Sequence, residues 1–227
     1  MSIHRTLHIA QVIRRTVAIC TAVLSLGASA GGPDPASLHG SQVAHHDAAM
    51  NEDHAHAHHH VMPETMRSMR DYRLPAVSLV RQDGKPVALA DALNDSRPVV
   101  LTFIYTTCTT VCPLTSQTLA ELQRKLGAHR DSVHLVSISI DPEQDTPAKL
   151  REYAQRFGAG PEWQHYTGTL GASQTVQRAF DVYRGNKMDH APAILVRAAT
   201  GASWVRIDGF ATADQLLAEL PTPHASP

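Results

Sequence analysis

Residues 99–113 read VVLTFIYTTCTTVCP, and this stretch decides the fold of the chain. Its first six residues form a nearly continuous apolar run, which predicts a strand covered on both faces in a parallel sheet. Pro113 can begin a helix, because its missing N–H is harmless in the first turn. The stretch therefore predicts a buried strand that passes directly into a helix, with Cys108 and Cys112 at the junction.

The rest of the domain alternates strands and helices. Leucines spaced along one face predict a helix that ends at Gly127, and Thr146-Pro147 predicts the start of a later one. The order of elements, βαβα and then a hairpin and a helix, is typical of an α/β, thioredoxin-like fold with a central mixed sheet flanked by helices. The further predicted elements are a strand over 133–140, a short helix around 176–180, a hairpin of 193–196 with 203–207, and a last helix over 212–220.

The N-terminus resembles an export signal. Arg5, Arg14 and Arg15 precede an apolar run over 17–26, and residues 28–30 read ASA, a pattern that signal peptidase accepts. The apolar run is shorter than the about 20 residues that span a bilayer. We therefore expect residues 1–30 to be a signal peptide and the product to be periplasmic or secreted, with anchoring in the inner membrane by an uncleaved signal left open.

Residues 31–70 show no apolar period, so we expect a flexible tether there, followed by the domain over 71–221 and a disordered tail over 222–227. Imidazole and thioether groups bind copper, so the tether is either a low-affinity metal-gathering segment or a polar linker. Its potential ligands are His39, His45, His46, His54, His56, His58, His59, His60, Met50, Met62, Met66 and Met69.

Charge excludes some partners. The chain of 227 residues has 20 basic and 21 acidic side chains, which gives a net charge of −1 with neutral histidines. Such a balance does not favour binding to nucleic acid or to an anionic membrane surface. Membrane association is expected only through a partner or through an uncleaved signal.

The spacing of the cysteines leaves two kinds of chemistry open. Cys20 lies in the expected signal, so Cys108 and Cys112 are the cysteines that the exported protein would retain. A helix N-terminus favours thiolate over thiol. Three intervening residues place the two cysteines about one helical turn apart, which allows a disulfide and also suits one soft ion such as Cu(I) held between two sulfurs.

His190 is the candidate third ligand. It lies just before the predicted hairpin, and in a thioredoxin-like fold that loop faces the cysteines. Asp189 is placed to influence its orientation or charge. The other histidines of the domain lack this context and are expected at the surface or in the core, namely His129, His134 and His165.

Asp141 and Asp145 invite interpretation as a catalytic carboxylate pair. Aspartate beside proline and ahead of a helix is explained adequately by turn formation and capping. We therefore expect these residues at most to shape the surroundings of the site.

Together these motifs resemble the Sco/SenC family of copper chaperones, which take part in cytochrome c oxidase assembly. The resemblance spans roughly residues 74–220, and the chain departs from the family in its histidine-rich segment and at Thr109-Thr110. The matching motifs are FIYTTC over 103–108, Cys112-Pro113, SIDPEQDTP over 139–147, Asp189-His190 and Gly209.

This resemblance implies that Cys108, Cys112 and His190 bind copper and pass it to an acceptor, such as the binuclear copper site of a cytochrome c oxidase subunit. Cu(I) is the expected form, with Cu(II) left open. The alternative is an enzyme, a thiol-disulfide reductase that keeps the cysteines of the acceptor reduced. A thiol peroxidase is disfavoured because Leu101 and Tyr105 replace its usual proline and threonine, and a purely structural disulfide leaves the flanking motifs unexplained.

Overall fold

The computed structural model describes residues 65–221. The expectations for the signal peptide over 1–30, for the tether up to residue 64 and for the tail over 222–227 fall outside the described residues. The elements are β1 Met66–Arg70, β2 Ser78–Arg81, β3 Pro86–Ala88, α1 Leu89–Leu93, β4 Val99–Ile104, α2 Val111–Leu126, β5 His134–Ser139, α3 Pro147–Arg156, β6 Trp163–Thr167, α4 Leu170–Ala179, β7 Ala193–Arg197, β8 Trp204–Asp208 and α5 Ala213–Glu219, with 3₁₀ turns at Gly127–Ser132 and Lys187–Asp189.

The eight strands form one mixed sheet in the order β1-β8-β7-β4-β5-β6-β2-β3. Strands β4, β5 and β6 run parallel, whereas β7 pairs with β4 in the antiparallel sense. The C-terminal end of β4 therefore meets the N-terminal end of β7, with Thr102 opposite Ile194. This pairing brings the cysteine segment that follows β4 and the histidine segment that precedes β7 to the same edge of the sheet.

Strand β4 is buried along its whole length, as its apolar sequence predicts. Side chains that alternate along a strand point to opposite faces. Leu101 and Phe103 pack in a core with residues of α1 and α4, whereas Val100 packs in a second core with Leu119 and Leu216 from α2 and α5. Helices cover both faces of the central strand, which confirms the α/β prediction and fixes where β4 ends.

The boundaries of two helices differ from those predicted. Helix α2 begins at Val111 rather than at Pro113, and the proline is tolerated because none of the first four N–H groups of a helix has a partner within it. Helix α4 begins at Leu170, where the hydroxyl of Thr169 accepts a hydrogen bond from the N–H of Ala172 as an N-terminal cap. The hairpin of β7 with β8, the α3 start at Pro147 and the last helix are confirmed.

The sequence did not predict the first strand of the described region. Residues 66–70, expected in the tether, form β1 and pair with β8 from Met66 opposite Asp208 to Arg70 opposite Trp204. The side chains of β1 are mostly exposed, so the strand carries no apolar alternation that would identify it. It is instead held by its backbone ladder, which covers the edge of β8.

This strand should contribute measurably to stability. We expect a chain that begins at residue 71 to be about 2 kcal/mol less stable to urea than one that begins at residue 65, because five cross-strand pairs are lost and the edge of β8 is uncovered. Equilibrium denaturation followed by circular dichroism measures the difference. Equal unfolding midpoints for the two chains would show that β1 is dispensable.

Strands β2, β3 and β6 and helix α1 were also not predicted. Strands β2 and β3 are short, at four and three residues, and β6 carries polar residues among its aromatic ones.

Among residues 65–221, no helix has the length and apolar character needed to cross a membrane.

Candidate functional site

The two cysteines lie together at the junction of β4 and α2. The N–H of Cys108 donates to the carbonyl of Tyr105 at 3.1 Å, which closes a turn directly after the strand. Cys112 follows in the first turn of α2, and its N–H donates to the sulfur of Cys108 at 3.4 Å. Both thiols are free and buried, with exposed fractions of 6% for Cys108 and 1% for Cys112. The junction therefore holds two neighbouring, buried sulfurs.

Different environments shift the pKa values of the two thiols in opposite directions. Burial raises the pKa of Cys108, but the N–H groups of Cys112 and Thr110 and the hydroxyl of Tyr105 outweigh this effect and lower it to about 7. Burial raises the pKa of Cys112 well above its ordinary value, and the neighbouring Cys108 adds to the shift. At neutral pH Cys108 is about half thiolate while Cys112 keeps its proton.

This asymmetry predicts unequal alkylation. At pH 7 we expect iodoacetamide to modify Cys108 at least about tenfold faster than Cys112, because the thiolate is the reactive form. The rate at Cys108 should rise with pH and reach half its maximum near pH 7. Peptide mass spectrometry resolves the two sites, and the Cys112→Ser variant serves as the control for Cys108 alone. Similar rates at both cysteines would contradict the assignment.

His190 lies on the loop between the Lys187–Asp189 turn and β7. Its Nε2 is 3.2 Å from the carbonyl oxygen of Phe103 in β4. A carbonyl can only accept, so Nε2 carries the hydrogen. Burial lowers the pKa of His190, which keeps the imidazole neutral near pH 7. The neutral ring therefore has its lone pair on Nδ1, the form in which imidazole binds a metal.

Asp189 does not have the role expected of it. Its side chain is exposed, and the hydrogen-bond partner of the His190 imidazole is the Phe103 carbonyl. The orientation of the ring is thus set by β4, which lies beside β7 in the sheet. Phe103 is 87 residues away in the sequence, so the residues next to His190 do not predict this contact.

The remaining histidines lie elsewhere, as predicted. His129 is exposed in the turn after α2. His134 and His165 are buried in β5 and β6, where the Nδ1 of His134 is 3.1 Å from Asp95. Burial lowers the pKa of His165 to about 3, so this ring is a neutral core side chain stacked on Trp163.

Asp145 is a structural residue of the site that the sequence did not reveal. Its carboxylate is fully buried and accepts hydrogen bonds from the N–H and hydroxyl of Thr106, the latter at 2.6 Å, and from the hydroxyl of Ser139 at 2.6 Å. Thr146, not Asp145, caps α3. Asp145 therefore ties the start of the cysteine segment to the end of β5.

Asp141 forms the turn after β5 as predicted, because its carbonyl accepts from the N–H groups of Gln144 and Asp145. Its carboxylate also binds the ammonium group of Lys187, with 2.5 Å between Oδ2 and Nζ. This ion pair links the β5 turn to the segment that carries His190. Both aspartates shape the surroundings of the site: Asp145 is fully buried, and the carboxylate of Asp141 is paired with Lys187.

The structure brings Cys108 and Cys112 into contact and places His190 on the adjacent loop at the same end of β4. Within residues 65–221, no three or more His, Cys, Asp or Glu side chains are grouped closely enough to hold a metal ion. The donor types suit a soft ion: two sulfurs, one of them readily ionised, and a neutral imidazole.

The SCO1/SenC family model matches residues 68–222. The SCO1 protein homolog of Bacillus subtilis is 32% identical over 99 residues, which cover 43% of this chain and 50% of that protein. Two solved structures with copper bound are each 28% identical to the chain. ScoI of Bradyrhizobium japonicum has a TM-score of 0.53 and is matched over 62% of this chain and 92% of its own. ScoI of Arabidopsis thaliana has a TM-score of 0.52, with 61% and 89% covered.

The matched segment thus spans about half the length of the curated relative and most of each solved structure. The residues that the family model matches, 68–222, contain the cysteine junction and the loop that carries the histidine.

Proposed function

Because this chain belongs to the SCO1/SenC family, we propose that it is a copper metallochaperone that holds one Cu(I) through Cys108, Cys112 and His190. The observation that carries the proposal is the cysteine pair at the end of β4, in which the pKa of one thiol is lowered to about 7. The copper-bound structures of ScoI from Bradyrhizobium japonicum and Arabidopsis thaliana support copper as the cargo.

The residues have distinct parts in binding. Cys108, half ionised at neutral pH, offers the first thiolate. Cys112 must lose its proton as the metal binds, because its pKa is raised in the free protein. His190, kept neutral by burial, supplies Nδ1 without losing a proton. Two thiolates and one imidazole leave Cu(I) three-coordinate, so a ligand of the acceptor can bind before an existing ligand leaves.

We propose that the acceptor is a copper protein of the cytochrome c oxidase type, with its binuclear copper site as the destination. Family membership supports this choice of acceptor. The export pattern of residues 1–30 supports a periplasmic or secreted location.

The ligand set is tested by competition with a Cu(I) chelator such as bicinchoninate, on reduced protein that carries Cys20→Ser. We expect one Cu(I) per chain to resist the chelator, and His190→Ala to lower the affinity by roughly 100-fold, about 2.7 kcal/mol. His129→Ala is the matched control, since that histidine is exposed in the turn before β5, at the end of the β4–β5 pair opposite the cysteines. An unchanged affinity in His190→Ala would exclude the three-ligand site.

A thiol-disulfide reductase is the second candidate, favoured by the unequal acidities of the two thiols. A reductase uses one ionised thiol to attack a disulfide and the other to release the mixed disulfide. An insulin reduction assay, run together with the chelator competition, distinguishes the two functions. Rapid reduction of insulin without chelator-resistant copper would favour the reductase.

A further inference from the structure

Met188 is an exposed thioether beside the cysteine site. Its side chain is 71% exposed, although methionine is apolar and usually buried. It lies in the Lys187–Asp189 turn, two residues before His190. Packing in the core therefore does not explain its position.

Hydrogen bonds and an ion pair hold this turn in place. The hydroxyl of Tyr105 donates to Sδ of Met188 across 3.7 Å, and the side chain of Asn186 accepts from the Met188 N–H at 3.0 Å. Lys187 binds Asp141, and its ammonium lies 5.6 Å from the centre of the Tyr105 ring. The thioether is thus fixed at the surface by a residue that belongs to the cysteine segment.

Tyr105 connects the exposed sulfur to the buried ones. It immediately follows β4, its carbonyl closes the turn at Cys108, and its ring is buried. Its hydroxyl donates to Sδ of Met188 and also helps to lower the pKa of Cys108. Tyr105 therefore contacts the exposed sulfur through its hydroxyl and the cysteine segment through its backbone.

The chemistry of a thioether suits a transient ligand. It binds Cu(I) as a soft neutral donor and has no proton to lose. Cys108 and Cys112 are almost wholly buried whereas Met188 is exposed, so the sulfur of Met188 is more accessible to copper in solvent than either thiol is.

We propose that Met188 is a loading ligand that receives Cu(I) at the surface and hands it to Cys108, an inference that rests on the proposed copper-carrier function. A bond from Cu(I) to Sδ forms as a bond to a thiolate or chelator of the donor breaks. The bond to Cys108 then forms as the bond to Sδ breaks. Copper remains Cu(I) throughout, and the proton of Cys112 passes to solvent when that thiol binds.

The test is the rate of loading, measured by stopped flow as the loss of colour from the Cu(I)–bicinchoninate complex, on the full chain with Cys20→Ser. We expect Met188→Leu, which keeps the size of the side chain but removes the sulfur, to load at least fivefold more slowly. Its equilibrium affinity should stay within twofold of the unmodified site. Met69→Leu is the control, since Met69 is also a half-exposed methionine but lies on β1 opposite Val205.

The possible outcomes separate this inference from the function on which it rests. Slower loading in Met188→Leu alone, with affinity retained, supports the loading role. An equal loading rate in all three chains overturns it and leaves the copper-carrier function standing. A fall in affinity that matches the fall in rate would make Met188 a permanent ligand and also overturns the loading role. Failure of the parent chain to bind Cu(I) overturns both proposals.

Discussion

Replacing Cys108 or Cys112 with serine is expected to weaken Cu(I) binding by at least about 1,000-fold, roughly 4 kcal/mol. A hydroxyl is a hard, neutral donor at neutral pH, whereas Cu(I) prefers thiolate. The backbone N–H of residue 112 remains in Cys112→Ser, so the Cys108 thiolate keeps the hydrogen bond that helps to stabilise it. Loss of affinity in that variant therefore reports the missing sulfur rather than a less acidic Cys108.

Competition with bicinchoninate measures the affinities of both variants. Each variant also carries Cys20→Ser, and the chain with Cys20→Ser alone is the control. Circular dichroism before and after substitution checks that the fold is retained. If either single variant kept its affinity within about threefold of the parent, copper would have to be held elsewhere in the chain, and the histidine-rich residues 31–64 would become the candidate.

The second large effect is expected at Asp145. Replacement by alanine should lower the free energy of unfolding by about 3 kcal/mol, because the N–H and hydroxyl of Thr106 and the hydroxyl of Ser139 lose their acceptor in a buried place. Asp145→Asn should be less damaging, since its amide keeps one acceptor oxygen. Urea denaturation measures both variants.

The same substitution should weaken copper binding without removing a ligand. Thr106 lies two residues before Cys108. Without its hydrogen bonds to Asp145, the turn is expected to hold the two sulfurs less rigidly. Asp131→Ala is the matched control, because Asp131 is exposed in the turn after α2. If Asp145→Ala changed the free energy of unfolding by less than 1 kcal/mol, the hydrogen bonds of Asp145 would not be what supports the site.

The sequence predicted the central part of the fold well. Local sequence signals predicted three elements that the structure contains. They are the apolar strand β4, the capped start of α3 at Pro147 and the hairpin of β7 with β8. It did not predict β1, whose five residues are mostly exposed and are held only by their backbone pairing with β8. Such a strand depends on its neighbour rather than on its own composition.

In the site, too, the features with local sequence signals were predicted and those that depend on distant residues were not. Cys108 and Cys112 adjoin a recognisable strand, and the N–H of Cys112 does contact the sulfur of Cys108. Asp145 resembled an ordinary turn residue, because its burial and its contact with Thr106, 39 residues away, depend on how β4 and β5 pair. Asp189 was expected to influence the orientation or charge of His190, but the hydrogen-bond partner of the imidazole is Phe103, 87 residues away.

Local sequence is enough to place two cysteines at a junction between a buried strand and a helix, because an apolar run and the helix that follows it are local properties. The behaviour of those cysteines depends on how the chain packs. The antiparallel pairing of β7 with β4 places His190 at the carbonyl of Phe103. The packing around the junction buries Cys112, while the N–H groups of Thr110 and Cys112 and the hydroxyl of Tyr105 favour the Cys108 thiolate. The hydrogen bonds come from residues close to Cys108 in the chain, but the burial of both thiols depends on core residues far from them in the sequence, such as Leu150 and Tyr153.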